Sequence, residues 1–172
     1  WRDVGGGAVK SNGAYAAMND AALMRPDLLG GRAPRTINMN QLGHALTELD
    51  DPPVKAMIVY NSNPAVIAPD QTRVLAGLAR EDLFTVVHEQ VLTDTARYAD
   101  VLLPATTFLE NYDIAKSYGP ITLQLVRPVI EPVGEARANA EVFSDLAARL
   151  GIGEAEEETD TLLRIAGRLP QN

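Results

Sequence analysis

Residues 85–110 read "TVVHEQVLTDTARYADVLLPATTFLE". An apolar, β-branched run ends in His88-Glu89-Gln90, and a short polar turn follows. A second apolar run, Asp100 to Pro104, then begins and stops at its proline. The runs lack the alternation of a half-exposed strand, so they read as strands buried on both faces of a sheet. Only a short helical turn, around Thr95 to Tyr98, fits between them. Two such strands joined in this way belong to a parallel α/β sheet.

Upstream the pattern repeats. "VKAMIVY" (Val54 to Tyr60) is another continuous apolar run. A loop, "NSNPAVIAPD", leads to Asp70, which can cap a helix carrying Val74, Leu75 and Leu78 inward. Leu42, Ala45, Leu46 and Leu49 recur at helical spacing between Ile37 and Leu49, and Asp50 to Pro53 stop that helix. The expected fold is α/β: a three-layer Rossmann-like unit with a mostly parallel sheet and right-handed crossovers. Val54 to Tyr60 and Leu83 to His88 are expected as interior strands, and Asp100 to Leu103 as a third.

The flanks are weaker. "GGGAVKSNGAY" (Gly5 to Tyr15) reads as a loop; it lacks the G-x-G-x-x-G spacing and follows no strand. "ATTFLENYDIAKSYGP" reads mostly as loop, and "ITLQLVRPVI" alternates as a strand with one exposed face. Val142, Phe143, Leu146 and Leu150 mark a helix closed by Gly151 and Gly153. "EAEEETD" reads as a solvated acidic linker or the first turn of a helix ending near Leu169. The organisation expected is a glycine-rich irregular lead-in (1–36), an α/β domain (37–151), and an acidic linker with a C-terminal helix (152–172).

Composition narrows the function classes. The 172 residues suit one domain, or a domain with a tail. A net charge of -8, with the basic residues scattered, argues against a nucleic-acid or anionic membrane surface. No apolar run approaches a membrane span, so no membrane insertion is expected. With no cysteine, disulfides, thiolate nucleophiles, zinc–thiolate sites and cysteine-ligated iron–sulfur clusters are all excluded. The two histidines, His44 and His88, lack a ligand set around them, and Asp100 reads as a cap at a strand start. No nucleophile elbow or P-loop is present. The residues themselves supply no catalytic set.

What they supply is a crevice. In an open parallel sheet, ligands bind outside the carboxyl ends of the strands. Two loops lie at such ends: Asn61-Ser62-Asn63-Pro64, with amide and hydroxyl groups, and Glu89 to Thr95, with a carboxylate and the hydroxyls of Thr93 and Thr95. A carboxylate here can accept two parallel N–H donors from one planar edge. Guanine has such an edge and adenine does not. The other reading of Glu89 is a cap for the turn ahead of Thr95. Both stand at this level.

"NSNPAVIAPD", "LFTVVHEQVLTDTARYADVLLPATTFLE" and "GEARANAEVFSDLAARLG" closely resemble the molybdopterin-dependent oxidoreductases of the dimethyl sulfoxide reductase family, from about Val54 to Gly151. The resemblance implies two pyranopterin guanine dinucleotides around molybdenum or tungsten, each lying across a Rossmann-like domain. By position it implies that Glu89 receives the guanine edge and Thr93 contacts the same nucleotide. Asn61 and Asn63 would line the cofactor. Family enzymes are far longer, and their metal ligand lies upstream of this segment. The chain is therefore expected to be a fragment of a catalytic subunit, inactive in isolation. The expected partners are the remaining domains of that subunit, with self-association of the fragment. Two alternatives stay open: a non-catalytic module like the molybdopterin-like large subunit of respiratory complex I, and a generic nucleotide-binding domain.

Overall fold

The computed structural model describes residues 18–116 and 123–166. Its elements run α1 (Asp20–Met24), α2 (Leu42–Thr47), β1 (Ala56–Tyr60), α3 (Pro64–Ile67), α4 (Gln71–Leu78), β2 (Phe84–Glu89), β3 (Val101–Pro104), β4 (Asp113–Lys116), β5 (Leu123–Val126), α5 (Asn139–Arg149) and α6 (Glu158–Ala166). Short 3₁₀ turns occupy Pro26–Leu29, Met39–Gln41 and Thr95–Tyr98. The chain divides into two compact units.

One unit takes Ala33–Thr107 and Val133–Arg137. Its sheet is parallel, in the order β1-β2-β3. The register pairs Tyr60 with His88 and His88 with Leu103, which brings the carboxyl ends of all three strands to one edge. This is the α/β architecture with a parallel sheet that the sequence pattern predicts. The core lies where α2 and α4 meet the sheet: Leu46, Val74, Leu78 and Leu83 are buried, with Met57 and Val54 against them. The two helices approach closely because glycine faces the contact. A Cβ on Gly77 would come within 2.4 Å of the Leu46 Cβ, and one on Gly43 within 2.8 Å of the Arg73 Cβ.

Side chains from separate elements fasten the opposite, amino-terminal edge. Arg80 donates to the carbonyls of Leu46 (2.6 Å) and Val54 (3.3 Å). Asp82 receives Arg80 and Lys55, and these two cations hold its carboxyl far below the usual carboxylate range. Asp100 acts as a cap: its Oδ2 accepts from the Thr85 N–H at 2.7 Å, while its own N–H donates to the Thr85 carbonyl at 2.8 Å. Asp70 precedes α4 in a left-handed conformation (φ 56°), and its side chain does not cap the helix. It reaches instead toward Arg73 at 3.4 Å.

The expectation of strands buried on both faces is corrected. β1 forms an edge of the three-stranded sheet, and its alternate residues are open. Ile58 is 52% exposed, Tyr60 48% and Phe84 52%. The register Ile58↔Val86 and Tyr60↔His88 places these residues on one sheet face, away from the buried Val59 and Val87. The chain carries an apolar sequence for that face but leaves it largely open to solvent.

The other unit takes Trp1–Arg32, Phe108–Pro132 and Ala138–Asn172. β4 and β5 pair antiparallel, Ile114 opposite Leu125. The segment containing β4 reads as mostly loop in sequence; its four residues acquire strand form through pairing rather than through a pattern of their own. α1 likewise interrupts the segment read as irregular; Asn19 caps it by accepting from the Ala22 N–H at 3.3 Å. The loop assigned to Gly5–Tyr15 lies outside the described residues. Met18, Ala22 and Ile165 form this unit's small core, with Ile114 against it. α5 ends as expected, with Gly151 at φ 68°.

Glu156 is not the solvated acid that its acidic run suggests. It pairs with Arg164 of α6, accepts from the Thr161 hydroxyl at 3.1 Å, and meets Arg25 beyond α1 at 3.3 Å. Its backbone N–H donates to the Ser144 hydroxyl of α5. The Arg164 hydrogen bond, more than any other contact, lowers the Glu156 pKa. A lowered carboxylate pKa stabilises the fold above the ordinary glutamate value of 4.5 and loses that contribution as pH falls through the lowered value. Glu158 runs the other way, because burial raises its pKa. Glu156→Gln is therefore expected to lower the thermal midpoint by a few degrees at pH 7, equivalent to about 1 kcal/mol for a partly exposed network. The difference from wild type should shrink as pH falls through that lowered value. Melting curves across that range check it, and a constant difference at every pH would remove the assigned role.

Candidate functional site

The two loops expected to bear the site do lie together, at the carboxyl edge of the parallel sheet. β1 passes into Asn61, which takes a left-handed conformation (φ 56°), and its N–H reaches the His88 carbonyl at 3.4 Å. β2 ends at Glu89, and the next residues turn outward before the 3₁₀ turn Thr95–Tyr98. Glu89 is half-buried, and its Oε1 accepts from the Gln90 N–H at 2.8 Å. Its Oε2 has no hydrogen bond among the described residues.

Beside Glu89 lies a cavity of about 310 Å³, lined chiefly by Gln90, Val91, Leu92, Leu102, Leu103 and Pro104. Such a volume sits at the small end of ligand pockets and suits one ring system. Its walls are apolar, and its polar groups are few and fixed. Gln90 is held by its Nε2, which donates to the Thr106 carbonyl at 3.1 Å. Val91 and Leu92 are 67% and 84% exposed, so the turn presents apolar side chains to solvent. Sequence reasoning took this turn as polar and missed its apolar walls; the signal was present in the dipeptide Val91-Leu92.

The remaining site residues fall along the same edge, outside the cavity lining. Thr93 Oγ1 accepts from the Ala96 N–H at 3.3 Å and so caps the 3₁₀ turn. Capping of that turn therefore falls to Thr93, and Glu89 binds only the N–H that follows it. Asn63 Oδ1 accepts two bonds from Thr95: from its N–H at 3.2 Å and from its hydroxyl at 2.8 Å. The Thr95 hydroxyl in turn accepts from the Ala65 N–H at 3.0 Å. Thr95 is fully buried. Its hydroxyl, offered by the sequence as a ligand contact, is spent inside the protein.

His88 is buried, and its Nδ1 lies 3.0 Å from the Leu103 carbonyl. Among the described residues, no group of three or more His, Asp or Glu side chains could hold a metal ion. No described helix is long and apolar enough to cross a membrane.

The edge thus sets one half-buried carboxylate beside an apolar slot. Sequence comparison gives the family. The sequence profile of the molybdopterin oxidoreductase family matches residues 6–149. The chain belongs to the molybdopterin oxidoreductase family. It is 49% identical to the "Probable oxidoreductase YoaE" of Bacillus subtilis (strain 168), over all of this chain and 25% of that protein. It is 36% identical to the dimethyl sulfoxide/trimethylamine N-oxide reductase of Rhodobacter capsulatus, over 59% of this chain and 12% of the reductase. Among solved structures, acetylene hydratase from Pelobacter acetylenicus superposes with a TM-score of 0.68 at 27% identity, covering 77% of this chain and 19% of the hydratase. These relatives fall within the dimethyl sulfoxide reductase family, as the β2–turn–β3 sequence led us to expect. The chain spans a quarter or less of the length of each of them.

Proposed function

We propose that this chain forms the part of a molybdopterin oxidoreductase that holds the guanine end of one molybdopterin guanine dinucleotide. Glu89 is the residue that reads the base. The observation that carries this reading is its carboxylate, one oxygen anchored by the Gln90 N–H and the other unbonded, beside a slot of about 310 Å³. A carboxylate has lone pairs on both oxygens, so Glu89 can still accept two donors side by side. Guanine offers these as N1–H and its exocyclic amine. Leu102, Leu103 and Pro104 supply an apolar wall for the ring. The slot fits one base and not a whole dinucleotide, so the pterin end extends elsewhere.

The cradle lies within the Ala33–Thr107 part of its unit, inside the 37–151 segment that the family resemblance implies as the molybdopterin guanine dinucleotide-binding domain. Asn61, Asn63 and Thr93 line the approach along the sheet edge. The cofactor, when bound, supplies metal-centred redox chemistry at molybdenum or tungsten. This chain's residues bind and orient its nucleotide end; among the described residues no group of three or more His, Asp or Glu side chains could hold the metal. Titration with GMP, followed by amide chemical shifts, tests the reading. The expected shifts fall on Glu89, Gln90, Leu92 and Leu103. Shifts confined to other regions would remove it.

The exposed face of Ile58, Tyr60, Phe84 and Val101 fits a working context in which further domains of a catalytic subunit cover it. Parallel sheets are ordinarily covered on both faces. The isolated chain is expected to self-associate through this face, because contiguous apolar patches of several hundred Å² are rare on monomers. Light scattering should show mass rising with concentration. Ile58→Lys with Phe84→Lys should return it to a monomer. A monomer at every concentration in the unmodified chain would contradict this.

A further inference from the structure

We propose that Thr95 is a positioning residue: it orients the Asn63 carboxamide so that Nδ2 donates to an acceptor oxygen of the bound nucleotide. The proposal rests on the guanine-cradle reading and extends it to a residue that touches no ligand. A backbone N–H can only donate, so the Asn63 atom facing the Thr95 N–H at 3.2 Å must be the carbonyl oxygen. The Thr95 hydroxyl has one proton. Its lone pair is taken by the Ala65 N–H at 3.0 Å, and its proton goes to the same Asn63 oxygen at 2.8 Å.

Two donors thus lock Oδ1 inward against a residue with no solvent exposure. The amide is planar, so locking Oδ1 fixes Nδ2 on the other side of Cγ. Asn63 is only half-buried, and its Nδ2 has no hydrogen bond among the described residues. The result is a pre-oriented pair of N–H donors at the sheet edge that also carries Glu89. Pre-orientation matters because a freely rotating amide would lose entropy on binding and could present its oxygen instead. The same three bonds tie the loop after β1 to the turn after β2, so both lips of the crevice move as one piece.

The test uses the 172-residue chain, with GDP and guanosine titrated calorimetrically and thermal melts beside each variant. Asn63→Asp keeps an oxygen for both Thr95 donors and removes the Nδ2 donors. It should fold with an unchanged melting point and bind GDP about tenfold or more weakly. Thr95→Val should weaken GDP to a similar extent, and Thr95→Ser should restore wild-type binding. Asn63→Asp with Thr95→Val together should be no weaker than the worse single variant. A penalty larger for GDP than for guanosine assigns the acceptor to a phosphate; an equal penalty assigns it to the base or sugar. Wild-type affinity in Asn63→Asp, or in a folded Thr95→Val, would overturn the positioning role and leave the cradle intact. Failure of wild type to bind either ligand would overturn both.

Discussion

Glu89→Ala is expected to lower the cofactor content of a full-length catalytic subunit carrying this segment by about tenfold or more, and its activity in proportion. Charge-assisted hydrogen bonds contribute about 1.5–3 kcal/mol each, and partial exposure of the half-buried site reduces that. Alanine also leaves two donors of the base without an acceptor. Glu89→Asp should lose less, because the carboxylate survives at shorter reach. Glu89→Gln should fall near alanine, since its amide places a donor against a donor. Cofactor content per protein, measured beside circular dichroism, separates these outcomes. Equal loading in wild type and Glu89→Ala would leave Glu89 as a partner of the Gln90 N–H and nothing more.

The second large effect concerns the fold. Gly77→Ala should destabilise the Ala33–Thr107 unit by about 1–3 kcal/mol through overpacking. The new Cβ would lie 2.4 Å from the Leu46 Cβ, an atom fixed to the backbone of α2. Leu46 is 1% exposed and cannot swing away. Alanine favours a helix over glycine by roughly 1 kcal/mol, which works against the clash but does not remove it. Gly43→Ala meets the Arg73 Cβ at 2.8 Å and the Val74 N at 3.2 Å, and should follow the same direction less strongly. Chemical denaturation with a constant slope would measure the loss. Unchanged stability in Gly77→Ala would mean that the α2–α4 spacing yields freely.

The stretch from Thr85 to Pro104 carries most of what could be read from sequence. Its β-branched runs, bounded by a proline and a polar turn, predict two parallel strands and a short connection, and the structure holds all three. The Val54–Tyr60 run was legible as a strand but not as an edge. Whether a strand lies at an edge, and what covers its face, depends on residues distant in sequence and is not written in the run itself. α1 and β4, at five and four residues, are too short to establish a period. They exist because Asn19 caps one and β5 pairs with the other.

The polar types at the strand ends marked two loops, and the structure joins those loops at one sheet edge through Asn63 and Thr95; the directions of the side chains were not legible. Whether the Thr95 hydroxyl faced a ligand or Asn63 depended on partners 30 and 32 positions away. The same distance problem hid Glu156, whose partner Arg25 lies 131 positions upstream. Residues that act through long-range partners look alike in sequence whether they are solvated or locked.

Whether the crevice beside Glu89 discriminates guanine is measured by calorimetric titration of the 172-residue chain with GDP and with ADP at equal ionic strength. One site is expected, with GDP tighter than ADP by at least about tenfold and that preference lost in Glu89→Ala. Equal affinity for the two nucleotides, or a guanine preference that survives Glu89→Ala, would contradict it.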